Sequence, residues 1–196
     1  MDFPLFPRRF DFGGVAHRFL LAIACTALAA PLASARTTES DVCVYGATAG
    51  GITAAVQARR MGKSVTLLAT TRHVGGLTTG GLGETDIGQH GDAYIQGMAR
   101  EFYTRIGTAY GGGVKFRFEP KVASTVFERM LDEVGIEVLR DQRLAATRRD
   151  GLRIRAITMD NGDVHRARMF IDASYEGDLM AQAGVSHTSG REANSQ

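Results

Sequence analysis

The chain has 196 residues, and its 23 Lys and Arg against 21 Asp and Glu leave a net charge of +2. This length allows one domain with a sizeable core, and a nearly balanced charge without a basic stripe argues against nucleic acid as a partner. Only Cys43 lies outside the apolar N-terminal segment, which excludes an internal disulfide, an iron–sulfur cluster or a thiolate zinc site in the mature chain. We predict no metal site, and we predict that Cys43 is a small buried residue.

The first 35 residues have the pattern of a signal peptide. Arg8, Arg9 and Arg18 precede an apolar run at residues 19–32, and Ala-Ser-Ala at 33–35 is a small-residue cleavage site. We predict cleavage after Ala35 and export of residues 36–196 to the periplasm or beyond. The run is shorter than the roughly 20 residues that span a bilayer, so we expect no membrane span in the mature chain. An uncleaved anchor is the alternative, and the arginine pair leaves both the general and the twin-arginine export routes open.

A strand, a helix and a second strand are predicted between residues 41 and 68. Residues 41–45 (DVCVY) form a short apolar run that is typical of a strand buried on both faces. Residues 52–61 carry apolar side chains at helical spacing, and Gly62 follows where a C-terminal cap is expected. Residues 64–68 have the pattern of the second strand. This order is a βαβ unit, the nucleotide-binding element of Rossmann-like folds.

The turn between this strand and helix contains the glycines that a phosphate-binding turn needs. Free N–H groups and the dipole at a helix N-terminus favour a diphosphate. Glycine suits the sharp turn, the close approach of a ligand and the tight packing of helix on strand. Thr48 replaces the middle glycine of the usual G-x-G-x-x-G pattern, and its hydroxyl either donates to a phosphate or crowds the site. We predict a nucleotide site at Gly46, Ala47, Thr48, Ala49, Gly50 and Gly51.

A second glycine-rich segment follows at residues 74–86 (VGGLTTGGLGETD). Its five glycines are separated by Leu and Thr rather than Ser and Pro, which favours a close-packed loop around a ligand over a solvated linker. This segment, the βαβ unit before it and the run FIDASYEGDLMAQAG at residues 170–184 resemble one family. They are similar to FAD-dependent oxidoreductases of the two-dinucleotide-binding fold, and more narrowly to a bacterial exported branch of that family.

The resemblance implies an FAD cofactor and further residues that contact it. In such proteins the glycine loop runs past the FAD diphosphate toward the flavin ring, which implies contacts from Gly75, Gly76, Leu77, Thr78, Gly80, Gly81, Leu82 and Gly83. It also implies that the backbone near Leu144 lies against the adenine, and that Ala173, Ser174 and Asp178 lie beside the nucleotide. For Asp178, a position at a helix start that the helix dipole favours is the alternative.

Besides Thr48, a second position departs from the family pattern. Members end the second strand with a Glu or Asp that binds the adenosine ribose, whereas this chain has Ala69, followed by Thr70, Thr71 and Arg72. We include Ala69, Thr70 and Arg72 in the predicted cofactor site. We expect weaker FAD binding, because a hydrogen bond to a charged group is worth about 1.5–3 kcal/mol, or tenfold and more in affinity.

The rest of the chain is predicted to mix helices and strands. Helices are predicted at residues 89–110, from Pro120 onward and at 179–184, and strands at 115–118, 135–139 and 169–174. Strands at 143–146, 152–158 and 164–170, with the hairpin turn DNGD at 160–163, predict a small antiparallel meander. The fold class is therefore α/β, a Rossmann-like FAD-binding fold with a meander. We expect it to be incomplete, an N-terminal part without the substrate domain and the final FAD-contacting strand.

The function that these features favour is an FAD-dependent oxidoreductase. The flavin carries hydride or electrons to or from an unidentified small-molecule substrate, while the protein binds and orients it. Glu84 and Asp86 are candidate catalytic carboxylates that act as a base or orient substrate, with capping of a helix or turn as the alternative. A non-catalytic nucleotide-binding module and an exported polysaccharide-active relative with a lyase-type name remain the other two hypotheses. Neither G-x-S-x-G nor H-E-x-x-H occurs, so hydrolase chemistry has no support.

Overall fold

The structure is a computed structural model of the full chain, and it describes residues 35–87, 91–188 and 190. The predicted signal peptide lies outside the described residues except for Ala35, as does the start of the helix predicted at 89–110. None of the helices in the described ranges is long and apolar enough to cross a membrane.

In the part of the chain that the structure describes, six strands form a single mixed sheet. Their order across the sheet is β3-β2-β1-β6-β5-β4, with β3, β2, β1 and β6 parallel and β6, β5 and β4 antiparallel. The α/β fold class and the antiparallel meander predicted from the sequence are confirmed. The strands are β1 Thr37–Tyr45, β2 Val65–Leu68, β3 Val138–Leu139, β4 Leu144–Asp150, β5 Arg153–Met159 and β6 Val164–Asp172.

Within the described residues, five α-helices accompany the sheet. They are α1 Ala49–Arg60, α2 Gly76–Gly80, α3 Gly97–Ala109, α4 Pro120–Asp132 and α5 Asp178–Gln182, and a 3-10 turn spans Gly91–Tyr94. Pro120 stands in the first turn of α4, as predicted, where its missing N–H group costs no helical hydrogen bond. The glycine-rich segment is a short helix in part, rather than a loop throughout.

Successive side chains along the strands point to opposite faces of the sheet, and each face carries a hydrophobic core. Val44 and Leu67 point to the face that carries α1, α3 and α4, where Ile52, Phe102 and Phe127 are buried. Cys43, Tyr45 and Leu68 point to the other face and pack with β5 and α5, through Ile157, Met159 and Leu179. The strands of the βαβ unit are therefore covered on both faces, as their continuous apolar runs predict. Cys43 is fully buried, which confirms its predicted place and raises the pKa of its thiol to about 12.

Three predicted elements are wrong in extent. The helix predicted at 89–110 begins only at Gly97, which has a φ of +62°, and Tyr94, within the predicted range, is 84% exposed in the 3-10 turn before it. The strand predicted at 115–118 is reduced, among the described residues, to a bridge that pairs Arg117 with Glu84. The strand predicted at 135–139 keeps two residues, because the N–H groups of Gly135 and Ile136 bond back to α4 and close that helix.

The strands predicted at 164–170 and 169–174 are one continuous strand. Along its length β6 pairs in parallel with β1, from Thr37 beside Val164 to Tyr45 beside Asp172, while its first residues also pair with β5. It is only partly buried, since Met169 is 64% exposed. Because β2, β1 and β6 are parallel and end in register, their carboxyl ends share one edge of the sheet.

Candidate functional site

The carboxyl edge of the parallel strands gathers most of the predicted cofactor residues. Leu68, Tyr45 and Asp172 are aligned across β2, β1 and β6, so the residues after them begin three neighbouring turns. Open α/β sheets bind ligands at this edge, in a crevice between such turns. The site is therefore assembled from three parts of the chain that are far apart in sequence.

The turn after β1 requires two of its glycines. Gly46 has a φ of +102°, and a Cβ there would lie 2.6 Å from the backbone of Ala173 and Ser174. A Cβ on Gly51 would overlap the carbonyl oxygen of Gly46. These contacts fit the roles predicted for a sharp turn and for tight packing of helix on strand. At Gly50 an added Cβ would meet only the Thr48 hydroxyl, at 3.7 Å.

Thr48 uses its hydroxyl within the protein. It is the N-cap of α1, where its oxygen accepts from the N–H group of Gly51 at 3.2 Å, and it donates to the carbonyl of Ala173 at 2.9 Å. Its only proton is therefore committed, which favours a structural role over donation to a phosphate. Among the described residues no acceptor is found for the N–H groups of Ala47, Thr48 and Gly50. Such free amides at the start of a 12-residue helix are suited to an anion.

The second glycine segment lies directly against this turn. The N–H group of Gly75 donates to the carbonyl of Ala47 at 2.7 Å, and Thr48 and Gly75 form a parallel bridge. Gly75 and Gly76 both have positive φ, +99° and +58°, which lets the chain turn into α2. The two segments that the sequence singled out for one cofactor are thus neighbours.

A cavity of about 310 Å³ opens beside these two segments. Its volume lies at the lower end of the range for ligand pockets, about 300–1,000 Å³. Its walls come from all three turns: Gly46, Ala47, Thr48, Ala69, Thr70, Thr71, His73, Gly76, Leu77, Gly80, Ser174, Tyr175 and Glu176. Nine of these are predicted cofactor residues. Three more predicted residues, Ala49, Gly50 and Thr78, line a neighbouring cavity of about 230 Å³.

Other predicted residues lie outside both linings. They are Gly51, Arg72, Gly75, Gly81, Leu82, Gly83, Leu144, Ala173 and Asp178. Leu144 packs in the second core, and its N–H group donates to the Tyr45 hydroxyl at 3.3 Å. Asp178 is the first residue of α5 and is exposed. Arg72 extends into solvent, where it pairs with Asp141 at 3.2 Å.

The predicted catalytic carboxylates also lie away from the cavity. Glu84 is exposed and pairs with Arg117, whose Nη2 lies 3.0 Å from its Oε1. Asp86 is exposed two residues later. The catalytic role of these residues therefore stays a prediction. In the ranges that the structure describes, no cluster of three or more His, Cys, Asp or Glu side chains is arranged to hold a metal ion.

Four residues of the cavity wall, Thr71, His73, Tyr175 and Glu176, were not selected from the sequence, and the last two belong to the turn after β6. Tyr175 reaches from the turn after β6 to α2, where its hydroxyl accepts from the N–H group of Leu77 at 2.7 Å, and a Cβ on Gly76 would overlap that hydroxyl. Glu176 follows it in the same wall. Both lie inside the motif at residues 170–184, but their spacing shows no pattern that separates them from their neighbours.

The turn that carries Tyr175 and Glu176 is fixed by polar contacts. Asp172 accepts from the N–H group and hydroxyl of Ser174, at 3.0 and 2.7 Å, and from the N–H group of Met180 at 2.8 Å. The Ser174 oxygen in turn accepts from Gly177 at 3.0 Å. The wall of the cavity is therefore held in place without a ligand.

His73 closes the cavity on the side of α2. Its Nε2 lies 3.0 Å from the carbonyl of Gly76 and 2.9 Å from the Thr79 hydroxyl. Because Thr79 donates its own proton to the carbonyl of Val74 at 2.6 Å, Nε2 must carry the proton and donate to both oxygens. This nitrogen thus stabilises the second glycine segment.

Several protein families bind ligands at the carboxyl edge of such a sheet, and comparison with known proteins decides between them. A family model described as FAD dependent oxidoreductase matches residues 41–196. The chain belongs to this family. The match includes both glycine segments, the meander and the β6 turn, so the family assignment covers every part of the cavity wall. No curated protein matches the sequence at a significant level.

Solved structures agree with the FAD-dependent oxidoreductase family in fold. L-proline dehydrogenase from P. horikoshii matches with a TM-score of 0.57 at 13% identity over 78% of this chain and 57% of that chain. A geranylgeranyl bacteriochlorophyll reductase-like protein from Thermoplasma acidophilum matches with a TM-score of 0.52 at 20% identity, over 76% and 43%. An oxidized steroid monooxygenase bound to NADP matches with a TM-score of 0.50 at 22% identity, over 69% and 26%. The chain therefore spans less than two thirds of each of these proteins.

The residues at the cavity fit the cofactor that the family name gives. Free amides at the start of α1 suit a diphosphate, and backbone rather than bulky side chains forms the wall at Gly46, Gly76 and Gly80. The adenosine end is less usual. Ala69 is buried and both of its backbone groups are bonded, the N–H to Leu139 and the carbonyl to Gln142. No carboxylate stands at the end of β2.

Proposed function

We propose that this chain forms the FAD-binding unit of an oxidoreductase that passes hydride or electrons between bound flavin and a small-molecule substrate. One observation gives this proposal its main support. The two glycine segments meet through the bond from Gly75 to Ala47, beside a cavity at the carboxyl edge of the parallel strands. This is the edge at which Rossmann-like sheets bind dinucleotides.

Each wall of the cavity has a distinct part in binding. The free amides of Ala47, Thr48 and Gly50 hold the diphosphate, since the N-terminal end of α1 favours negative charge. Gly76 and Gly80 leave room along α2 for the part of the cofactor that leads to the flavin. The flavin supplies the redox chemistry, and these residues bind and orient it.

The activity belongs to a whole protein built around this unit. The solved structures cited above are longer than this chain, which spans 26–57% of their lengths. The substrate and the electron acceptor are therefore not assigned to residues of this chain. Glu84 and Asp86 lie outside the cavity and are kept as candidates for contact with a substrate.

We further propose that the protein is exported, with residues 1–35 as its signal peptide. The three arginines, the apolar run and the Ala-Ser-Ala site support this. N-terminal sequencing of the protein recovered from the periplasm should begin at Arg36. Recovery from the cytoplasm with an intact N-terminus would contradict export while leaving FAD binding unaffected.

A matched pair of substitutions tests FAD binding at this cavity. Gly80→Asp places a carboxylate in the cavity wall, where its Cβ would meet only His73 Nε2, at 3.5 Å. Gly112→Asp makes the same change at an exposed glycine outside the cavity, where an added Cβ would have no atom within 4 Å. A carboxylate that the cofactor covers without giving it a partner costs about 1–3 kcal/mol, so Gly80→Asp should weaken FAD binding at least about fivefold.

Quenching of flavin fluorescence during titration with FAD measures the dissociation constants. The unaltered chain and Gly112→Asp should bind FAD equally well, and Gly80→Asp should bind it more weakly. An unaltered chain that is folded by circular dichroism and takes up no FAD would refute the proposed function. Equal binding by both variants would place the FAD elsewhere.

A further inference from the structure

The cavity has one acidic side chain in its lining, that of Glu176. The other side chains of the lining are neutral or, for His73, already bonded to the second glycine segment. Among the described residues, the Glu176 carboxylate takes part in no ion pair and no side-chain hydrogen bond. Glu176 is exposed at the wall of the cavity, so its carboxylate is free to accept hydrogen bonds from a ligand there, and its charge repels anions.

The electrostatics of the cavity divide it into two sides. The N-terminal end of α1 and its free amides favour negative charge on one side. On the other side, the turn after β6 carries the charge of Glu176 in the cavity wall, with Asp172 and Asp178 at the two ends of the same turn. The diphosphate therefore belongs with α1, and a neutral group that donates hydrogen bonds belongs with Glu176.

The end of β2 lacks the acidic residue with which this fold ordinarily binds a ribose. Ala69 has no side-chain acceptor, and the neighbouring Thr70 and Thr71 offer only neutral hydroxyl groups. A carboxylate binds adjacent sugar hydroxyls better than one threonine does, because hydrogen bonds to a charged group are roughly twice as strong. Only two inter-strand spacings, about 10 Å in all, separate the β2 and β6 rims of the cavity, with β1 between them.

We propose that Glu176, on the β6 side of the cavity, accepts hydrogen bonds from sugar hydroxyl groups of the cofactor. It thereby replaces the carboxylate that ordinarily follows β2 in this fold and binds a ribose. This rests on the proposed function, since it presupposes FAD in the cavity. The turn is suited to the task, because Asp172 and Ser174 fix its backbone before any ligand arrives. The hydroxyl groups belong either to the adenosine ribose or to the ribityl chain of the flavin.

Glu176→Gln tests the assignment, with Glu137→Gln as its matched control. The two substitutions remove the same charge, but Glu137 lies just before β3 and outside the cavity. The purified chain and both variants are titrated with FAD, with ADP and with FMN. Glu176→Gln should weaken FAD binding at least about tenfold, the loss expected for a hydrogen bond to a charged group. Glu137→Gln should leave it unchanged.

The two shorter ligands identify which hydroxyl groups are bound. Weaker binding of ADP alone assigns Glu176 to the adenosine ribose, and weaker binding of FMN alone assigns it to the ribityl chain. Unchanged or tighter FAD binding by Glu176→Gln overturns the proposal, as does an equal loss in Glu137→Gln. Each of these results requires that the unaltered chain binds FAD, so failure here is distinct from failure of the proposed function.

Discussion

The side chain of Thr48 offers a sharp test of how the first glycine turn is stabilised. Thr48→Val keeps the shape of the side chain and removes its hydroxyl. The substitution breaks the bond from Gly51 N–H to the Thr48 oxygen at 3.2 Å, and the bond from Thr48 to the Ala173 carbonyl at 2.9 Å. One of these caps α1, and the other ties α1 to the end of β6.

The size of the loss follows from these two bonds. Removing an N-cap hydroxyl costs about 1 kcal/mol, and a buried carbonyl left without a donor costs about 1–3 kcal/mol. Thr48 and Ala173 are only half-buried, so water replaces part of the second bond. We expect the free energy of unfolding to fall by about 2 kcal/mol, which lowers the Tm of a domain of this size by about 4–8 °C.

Urea unfolding followed by circular dichroism measures the change, with Thr53→Val as the matched control. The Thr53 hydroxyl donates only to the carbonyl groups of Ala49 and Gly50 within α1. Its loss should change the free energy of unfolding by no more than about 0.5 kcal/mol. If Thr48→Val is as stable as the unaltered chain, or if both variants lose equally, the capping role is wrong.

Three further predictions concern titratable groups. The thiol of Cys43 is buried and its pKa is raised to about 12, so it should not react with a thiol reagent at pH 8 until the chain unfolds; rapid reaction would contradict its burial. Hydrogen bonds from Arg60 and then Arg105 lower the pKa of Glu101 to about 2, so stability should fall as pH drops from about 4.5 to 2. Glu101→Gln should remove part of that slope in Tm, since other carboxylates with lowered pKa values keep the rest, and an unchanged slope would contradict the role of Glu101. Burial lowers the pKa of His165, so the folded state disfavours its protonation. The Tm of the unaltered chain and of Glu101→Gln should therefore decrease as the pH falls below about 6.5, and a Tm that is constant between pH 7.5 and 5.5 would contradict this.

Local sequence patterns predicted the elements whose cause is local. The apolar run at 41–45 and the spacing of the helix after it gave β1 and α1, and the turn at 160–163 gave the hairpin between β5 and β6. β1 nevertheless extends back to Thr37. Its first residues gain their partners from β6, more than a hundred positions later, and no local pattern reports such a pairing.

The candidate site divides in the same way. The glycines at 46, 51 and 76 could be predicted from the sequence, because a neighbouring backbone or side chain comes so close that only glycine fits at each position. Tyr175 and Glu176 could not, because their places in the cavity depend on the side-by-side ends of β1 and β6. The structural role of Thr48 could not be predicted either, because its bonds to Gly51 and Ala173 depend on the three-dimensional arrangement of distant segments.

Backbone amide NMR spectra of the purified chain, recorded with and without FAD, test the central claim most directly. The account predicts that the largest shifts fall together on Ala47, Thr48 and Gly50 and on the segment from Gly75 to Leu77, which border one cavity. Shifts confined to the β4–β5 hairpin, or no shifts in either glycine segment at saturating FAD, would contradict it.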